Sequence, residues 1–170
     1  MAIRKIVQLG DSVLRSVSKP QDKFGIRLAM LLKDMAETMY DAGGVGLAGP
    51  QVGIRRRVAV VDVSEEKNSL LELVNPEIIE RTGSQTGREG CLSLPGRQAV
   101  VTRPDHVRVR AQDRHGNFFE KDADGFEARA ICHEVDHLDG VLYIDIMDRE
   151  LTEEEIKGHI PEDGEECESS

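Results

Sequence analysis

The segment around HEVDH, residues 133–137, constrains the fold more than any other stretch of the sequence. Apolar side chains recur around it at helical spacing, and Asp-Gly pairs bracket it: Phe126, Ala130, Ile131, Val135 and Leu138, between Asp124-Gly125 and Asp139-Gly140. The pattern predicts a largely buried helix on which His133 and His137 face the same side. Burying two imidazoles and a carboxylate costs free energy unless they are paired or ligated. A catalytic metal with Glu134 as base is the usual explanation, and a hydrogen-bonded core pair without metal is the alternative.

A catalytic site of this kind commonly has three protein ligands and leaves one position for water. The remaining side chains that could supply the third ligand are Asp136, His106, His115, His159, Cys91, Cys132 and Cys167. Asp136 would point away from the His137 side, which suits a partner that orients a ligand imidazole. His115 lies in a turn, His159 in an acidic stretch, and Cys132 on another side of the helix. Cys91, in the glycine-bracketed REGCLSLPG, is left as the candidate, although a buried free thiol is the commoner role for such a cysteine.

Composition and charge narrow the classes of protein that fit. The 170 residues, 39% hydrophobic and 32% charged, suit one globular domain without a membrane-spanning run. The first residues lack the unbroken apolar core of a signal peptide, and three cysteines make a poor disulfide framework, so we expect a cytoplasmic protein. Residues 150–170 hold nine carboxylates and one lysine, which leaves a net charge of only -2 for residues 1–149. That balance argues against direct binding to nucleic acid or to a membrane.

The chain is expected to divide into a catalytic domain over residues 1–149 and an acidic tail over 150–170. The tail is either disordered or begins with a short helix, because Thr152 and Glu155 form a capping-box pattern. Another helix is predicted from Asp22 until Gly43-Gly44 end it. Strands are predicted by their apolar alternation at 55–63, 69–79 with a break at Asn75-Pro76, 98–102, 106–112 and 118–123.

A glycine-rich stretch, GGVGLAGPQVG at 43–53, matches neither a phosphate-binding loop nor a dinucleotide-binding turn. It is either a flexible connection or a place where the backbone approaches a substrate closely, with Gln51 projecting an amide.

Three motifs occur in a fixed order along the chain, and together they are more specific than HExxH alone. GVGLAGPQ, EGCLS and HEVDH resemble the signature motifs of the peptide deformylase family, and the resemblance extends over about residues 3–148. It implies an α+β fold with mixed or antiparallel β-sheets packed around the HEVDH helix. The chain departs from the family pattern at Gly49, where a second alanine is usual, and the missing methyl group is expected to loosen the loop.

The resemblance also implies a reaction, a cofactor and partners. The reaction removes formate from the N-formylmethionine of nascent chains, in a bacterial-type cytoplasm or an organelle, with a transient contact to the ribosome. One divalent metal ion, natively Fe2+ with Zn2+ or Ni2+ able to replace it, would be held by Cys91, His133 and His137. Glu134 would act as general base and then acid. The Gln51 amide and the Leu92 backbone N–H would donate hydrogen bonds to the developing oxyanion.

Side chains around these motifs are candidates for the substrate pocket. An apolar slot for the methionine side chain would include Val45, Leu47, Phe126 and Ala130, with the Gly46 backbone beside the substrate. The family pattern suggests an ion pair between Glu89 and Arg103 that braces the Cys91 loop, and two solvated surface charges are the alternative.

Two other functions are compatible with an HExxH helix. A metalloprotease would take a third ligand from a later helix, where this chain offers Asp139, Asp145, Asp148 and the acidic tail. A non-catalytic metal-binding protein would close the site with a fourth protein ligand.

Overall fold

Two antiparallel β-sheets enclose the predicted central helix in the computed structural model of the protein, which describes residues 2–158. One sheet has the strand order β1 (Gly46–Ala48), β2 (Val58–Val61), β3 (Leu71–Thr82), β6 (His106–Gln112) and β7 (Phe118–Asp124). The other has the order β4 (Gln85–Cys91), β5 (Leu94–Arg103) and β8 (Arg149–Glu150). The helices are α1 (Ile26–Asp41), α2 (Gly125–Leu138), α3 (Tyr143–Ile146) and α4 (Glu153–Lys157), and 3-10 turns span Ser12–Arg15 and Gly49–Val52. The predicted α+β fold is therefore confirmed.

Helix α2 carries HEVDH through the middle of the molecule, as the apolar spacing predicts. Its side chains Ala128, Ile131, Val135 and Leu138 join one core with the inner faces of β2, β3 and β6. Burial of this kind contributes about 25 cal/mol per Å² of apolar surface, so the helix position is strongly fixed. The two histidines consequently sit on an element with little freedom to move.

Helix α1 covers the opposite side of the five-stranded sheet. Its buried stripe of Leu28, Leu32, Met35 and Met39 packs against Leu47, Val58, Val60 and Val74. Because successive strand residues point to opposite faces, β1 sends Leu47 towards α1 and turns Gly46 towards α2. The three residues of β1 therefore divide between a core face and a face near HEVDH.

The strand predictions miss β1, β4 and β8, and two of the differences have a clear structural cause. The expected break at Asn75-Pro76 is a bulge inside one continuous strand, where Asn75 adopts a φ of 51°. The Asn75 side chain stabilises the bulge through hydrogen bonds with Gln21 and Gln112. Strand β4 was not predicted, since its sequence QTGREGC lacks apolar alternation. It is defined instead by pairing with β5, which no local pattern indicates.

The expectation that Gly49 loosens its loop is wrong. A Cβ atom on this residue would lie 2.8 Å from the carbonyl oxygens of both Ile54 and Arg56. The Gly49 carbonyl also accepts the Ile54 N–H at 2.9 Å. The backbone of the following turn thus occupies the space that a methyl group would need.

Gly49→Ala is expected to destabilise the protein by about 1–3 kcal/mol, because rigid backbone atoms rather than flexible side chains must move. Urea unfolding would measure the change. Gly25→Ala is the matched control, since Gly25 has extended backbone and no atom within 4 Å of its added Cβ. Equal unfolding midpoints for the two variants would contradict this account.

The region after α2 packs onto the domain further than residue 149, the boundary expected from sequence. Strand β8 pairs with β5, and Thr152 and Glu155 cap α4 reciprocally at 3.1 and 2.9 Å, so the predicted short helix is confirmed. The Arg88 guanidinium donates to the Glu155 carbonyl and ties α4 to β4. The rest of the predicted tail, 159–170, lies outside the described residues. None of the helices within 2–158 combines the length and apolar character that a membrane span requires.

Candidate metal centre and active site

Three side chains converge at one point: Cys91 at the end of β4, and His133 and His137 on α2. The Cys91 sulfur lies 3.4 Å from His137 Nε2, which lies 3.3 Å from His133 Nε2, and the three ligand atoms are all within 4.8 Å of one another. Tetrahedral ligation at about 2.0–2.3 Å separates ligand atoms by about 3.3–3.7 Å. The donor set and its spacing therefore fit one divalent metal ion. The other candidate ligands His159 and Cys167 fall outside the described residues.

The local structure explains how Cys91 reaches the helix. It ends β4 at a register shift between Gly90 and Cys91, where the chain turns back into β5. A bulge of this kind bends a strand and redirects a side chain. The bend aims the thiol at His133 and His137, which project from successive turns of α2.

Glu89 fixes the orientation of one ligand imidazole. Its Oε2 lies 2.6 Å from His133 Nδ1, so His133 Nε2 is left to face Cys91 and His137. A carboxylate on the second nitrogen of a ligand imidazole sets the tautomer and raises ligand basicity. Burial alone would raise the pKa of Glu89, but hydrogen bonds from His133 and Arg103 outweigh it and hold that pKa well below its usual range.

The ion pair between Glu89 and Arg103 is confirmed, and both side chains are buried rather than solvated. Arg103 donates to the two Glu89 oxygens at 3.1 and 2.5 Å and to Asp136 at 2.6 Å. Asp136 thus contacts Arg103 and not an imidazole, which corrects the role expected for it. The reason is geometric: β4 places Glu89 against His133, while Asp136 leaves α2 on the side that faces β5.

Glu89→Gln is expected to weaken metal binding about 10- to 100-fold, the usual effect of losing a carboxylate partner of a ligand histidine. It should also destabilise the fold by about 3–5 kcal/mol, because Arg103 and Arg129 lose a buried counter-charge. Competition with a chelator and thermal unfolding would measure the two effects. Glu72→Gln, which breaks a more exposed pair with Arg114, is the control. Unchanged metal affinity would mean that Glu89 is not needed to orient His133.

Glu134 lies next to the ligand cluster without belonging to it. It is buried, and its Oε1 has no hydrogen-bond partner among the residues that the structure describes. Burial raises the pKa of Glu134 to about 7. A carboxylate with this pKa and a free oxygen can exchange a proton with a neighbouring water near neutral pH.

Gln51 is held in one orientation beside Cys91. Its Oε1 accepts the Ala48 N–H at 3.0 Å, and its Nε2 donates to the Ser93 hydroxyl at 3.1 Å and lies 3.5 Å from the Cys91 sulfur. Ser93 was not predicted as a site residue, although it lies in the EGCLS motif; it is completely buried. Leu92 lies between Cys91 and Ser93 and lines the same cavity. A preorganised amide donor can stabilise negative charge that develops on a substrate oxygen.

An open cavity of about 440 Å³, including its solvent-facing mouth, leads to these groups. Of the residues predicted for the substrate slot, the structure brings together Val45, Gly46, Phe126 and Ala130, and Glu89 of the predicted ion pair also lines the cavity. Leu47 does not line the cavity, because strand alternation directs it into the core with α1. Arg88 and Arg129 also line it and were not predicted, since no local pattern distinguishes a charged residue that lines a cavity from one on the solvated surface.

A partly buried thiol, two histidines one helical turn apart and a glutamate with a free oxygen define the class of metal-dependent hydrolases. A family model described as polypeptide deformylase matches residues 3–153. A peptide deformylase of Lachnoclostridium phytofermentans is 53% identical over 90% of this chain and 94% of its own length. One of Caldicellulosiruptor bescii is 52% identical over 92% of this chain and 93% of its own. The chain therefore belongs to the polypeptide deformylase family.

Solved structures give the same result for the fold. A crystal structure of a peptide deformylase from Legionella pneumophila superposes with a TM-score of 0.84 at 44% identity, covering 86% of this chain and 87% of that one. One from Thermotoga maritima has a TM-score of 0.84 at 40% identity, covering 87% and 99%. The family consists of metal-dependent hydrolases that remove the N-formyl group from nascent peptides. No comparison favours a metalloprotease or a non-catalytic protein over this enzyme class.

Proposed function

We propose that this chain hydrolyses the formamide bond of N-formylmethionyl peptides at the Cys91, His133 and His137 centre. The observation that carries the proposal is the convergence of these three ligand atoms within 4.8 Å beside the unpartnered Glu134 carboxylate. A divalent metal ion held there would supply a Lewis acid that lowers the pKa of water towards neutrality.

Each neighbouring side chain has a role that follows from its position. Glu134 takes the proton of the attacking water and later delivers it to the nitrogen of the leaving amine. The Gln51 amide and the Leu92 backbone N–H donate to the former formyl oxygen as it becomes negative, and each is worth about 3 kcal/mol in the transition state. Ser93 and Ala48 keep the Gln51 amide in one orientation, so little reorganisation is needed during the reaction.

The cavity wall supports a preference for a small acyl group and a methionine side chain. Glu134 fills the space where a Gly46 side chain would lie, and we expect its carboxylate to leave little room beside the reacting carbon. Val45, Phe126 and Ala130 supply apolar surface for a linear side chain further from the ligands. A formyl group fits this arrangement better than acetyl, because acetyl adds a methyl group at the narrowest point.

Formate release from formyl-Met-Ala-Ser by anaerobically prepared, metal-analysed protein would test the proposal. Acetyl-Met-Ala-Ser and an unformylated longer peptide serve as controls for acyl selectivity and for internal peptide-bond cleavage. We expect formate release only, with one metal ion per chain. Cleavage of an internal bond without formate release would favour a metalloprotease instead.

We propose ferrous iron as the native metal, in line with the family resemblance, although a thiolate-imidazole set also accepts Zn2+ and Ni2+. The iron-loaded protein should lose activity in air, and zinc or nickel should slow the loss. Mass spectrometry should find added oxygen on the Cys91 peptide, because a sulfur beside iron is the exposed target. Cys132→Ser should inactivate at the wild-type rate, since Cys132 is buried away from the ligands and burial raises the pKa of its thiol. An air-stable, iron-loaded Cys132→Ser protein would contradict this assignment.

We further propose that the protein acts in a bacterial cytoplasm with only a transient ribosome contact. The relatives named above are bacterial, and the substrate is a nascent chain. The nearly neutral body offers little electrostatic attraction to ribosomal RNA. Co-sedimentation with ribosomes should therefore be weak at physiological salt, and stable co-sedimentation would contradict the proposal.

A further inference from the structure

Arg129 places a buried cation in the wall of the substrate cavity. It lies on α2 one turn before His133, between the cavity-lining Phe126 and Ala130, and is only 5% exposed. Its Nη1 donates to Glu89 Oε1 at 2.8 Å. No other hydrogen bond of this guanidinium occurs within residues 2–158, so most of its five N–H donors have no protein partner there.

The network around Glu89 does not require all of these donors. Arg103 already engages both Glu89 oxygens, and His133 shares one of them. Arg103 also donates to the nearby Asp136 carboxylate, whereas the side chain of Arg129 has Glu89 as its one hydrogen-bond partner among residues 2–158. Arg129 therefore offers donors to whatever side chain enters the slot beside Phe126.

Reduced methionine makes little use of such donors, because a thioether sulfur is a weak acceptor. Oxidation to the sulfoxide turns the same side chain into a polar and chiral one. The sulfoxide oxygen is a strong acceptor, and burying it unpartnered costs roughly a factor of 10 to 100 in affinity. A slot with purely apolar walls would reject it, whereas a slot with free guanidinium donors would not.

We infer that Arg129 enables the cavity to accept N-formylmethionine sulfoxide, so that nascent chains with an oxidised first residue are also deformylated. The inference rests on the proposed function, in which this cavity holds the methionine side chain. Since Arg129 lies on one wall only, the two sulfoxide configurations direct their oxygens differently towards it. One diastereomer should therefore be the better substrate.

Nickel-loaded protein, chosen to limit loss of activity in air, would be assayed on formyl-Met-Ala-Ser, its two sulfoxide diastereomers and formyl-norleucine-Ala-Ser. The better diastereomer should have a kcat/KM within about tenfold of formyl-Met, because a satisfied acceptor avoids most of the unpaired-group penalty. In Arg129→Met the ratio of sulfoxide to formyl-Met activity should fall about 10- to 100-fold. The ratio of norleucine to methionine activity should change little, and Arg129→Lys should retain part of the sulfoxide activity. Arg114→Met, which removes an arginine outside the cavity, is the control.

An unchanged sulfoxide ratio in Arg129→Met would overturn the inference. Since that variant also removes a partner of Glu89 and can unfold, wild-type protein provides an independent test. Equal kcat/KM for the two diastereomers, or a loss above about tenfold for both, would overturn it as well, because that is the loss expected of an unpaired sulfoxide oxygen. Absence of formate release from formyl-Met-Ala-Ser would instead refute the proposed function. In that event, calorimetry with Met-Ala-Ser and its sulfoxides would still show whether Arg129 recognises the oxidised side chain.

Discussion

Glu134→Gln is expected to lower kcat/KM for formyl-Met-Ala-Ser by about 10²–10⁴-fold while the metal stays bound. Glutamine has nearly the same shape as glutamate, so it should fit the space beside Gly46. It cannot take a proton from the attacking water, and so the proton transfers to and from the substrate lose their carrier. The three ligand atoms come from other residues, which is why metal content should not change.

Metal analysis and kinetics on the same preparation would separate the two roles that Glu134 could have. Glu127→Gln is the matched control, because Glu127 is on the same helix but is partly exposed. Its Oε1 lies 3.6 Å from Lys121 Nζ. Loss of metal together with activity in Glu134→Gln would show that this carboxylate helps to hold the ion. Near-normal activity with bound metal would show that another group moves the proton.

The sequence predicted the central helix well because its signal is local. Apolar residues around HEVDH recur with the period of a helix, and burial of two histidines and a glutamate on one such element already points to a metal. The third ligand was harder to find, since Cys91 is 42 positions before His133 in the chain. Only the exclusion of other candidates and the order of three motifs indicated it.

The errors concern contacts between segments that are distant in sequence. Leu47 was assigned to the substrate slot as an apolar residue of the glycine-rich stretch, together with Val45, but the direction of a side chain in a three-residue strand depends on its pairing with β2. Asp136 was expected to hydrogen-bond a ligand imidazole. No local pattern indicates that β5 brings Arg103 next to it. Arg129 was not predicted to be a buried residue of the cavity wall, since its buried partner Glu89 is 40 positions away in the sequence.

Gly46 lies against Glu134 at a position where there is no space for a side chain. A Cβ atom built on it would lie 2.3 Å from Glu134 Oε2 and 2.8 Å from Glu134 Cδ. The Gly46 backbone cannot move easily, because β1 pairs with β2 at Gly46 and Val61, so an added side chain would have to displace the buried Glu134 carboxylate. The close approach therefore fixes where the carboxylate sits relative to Cys91 and the helix histidines.

Gly46→Ala is accordingly expected to displace the Glu134 carboxylate by about 1 Å and to lower kcat/KM about 100-fold, the usual effect of such a misplacement. Metal content should be unchanged, since the three atoms nearest to the new methyl group all belong to Glu134 and none to a ligand residue. Gly25→Ala adds the same methyl group where no atom lies within 4 Å and should behave like wild type. Assays would be run well below the unfolding temperature, because overpacking also costs about 1–3 kcal/mol of stability. If Gly46→Ala stays within about threefold of wild type while folded and metal-loaded, the position of Glu134 does not limit the rate, and its role as the base at this site would have to be abandoned.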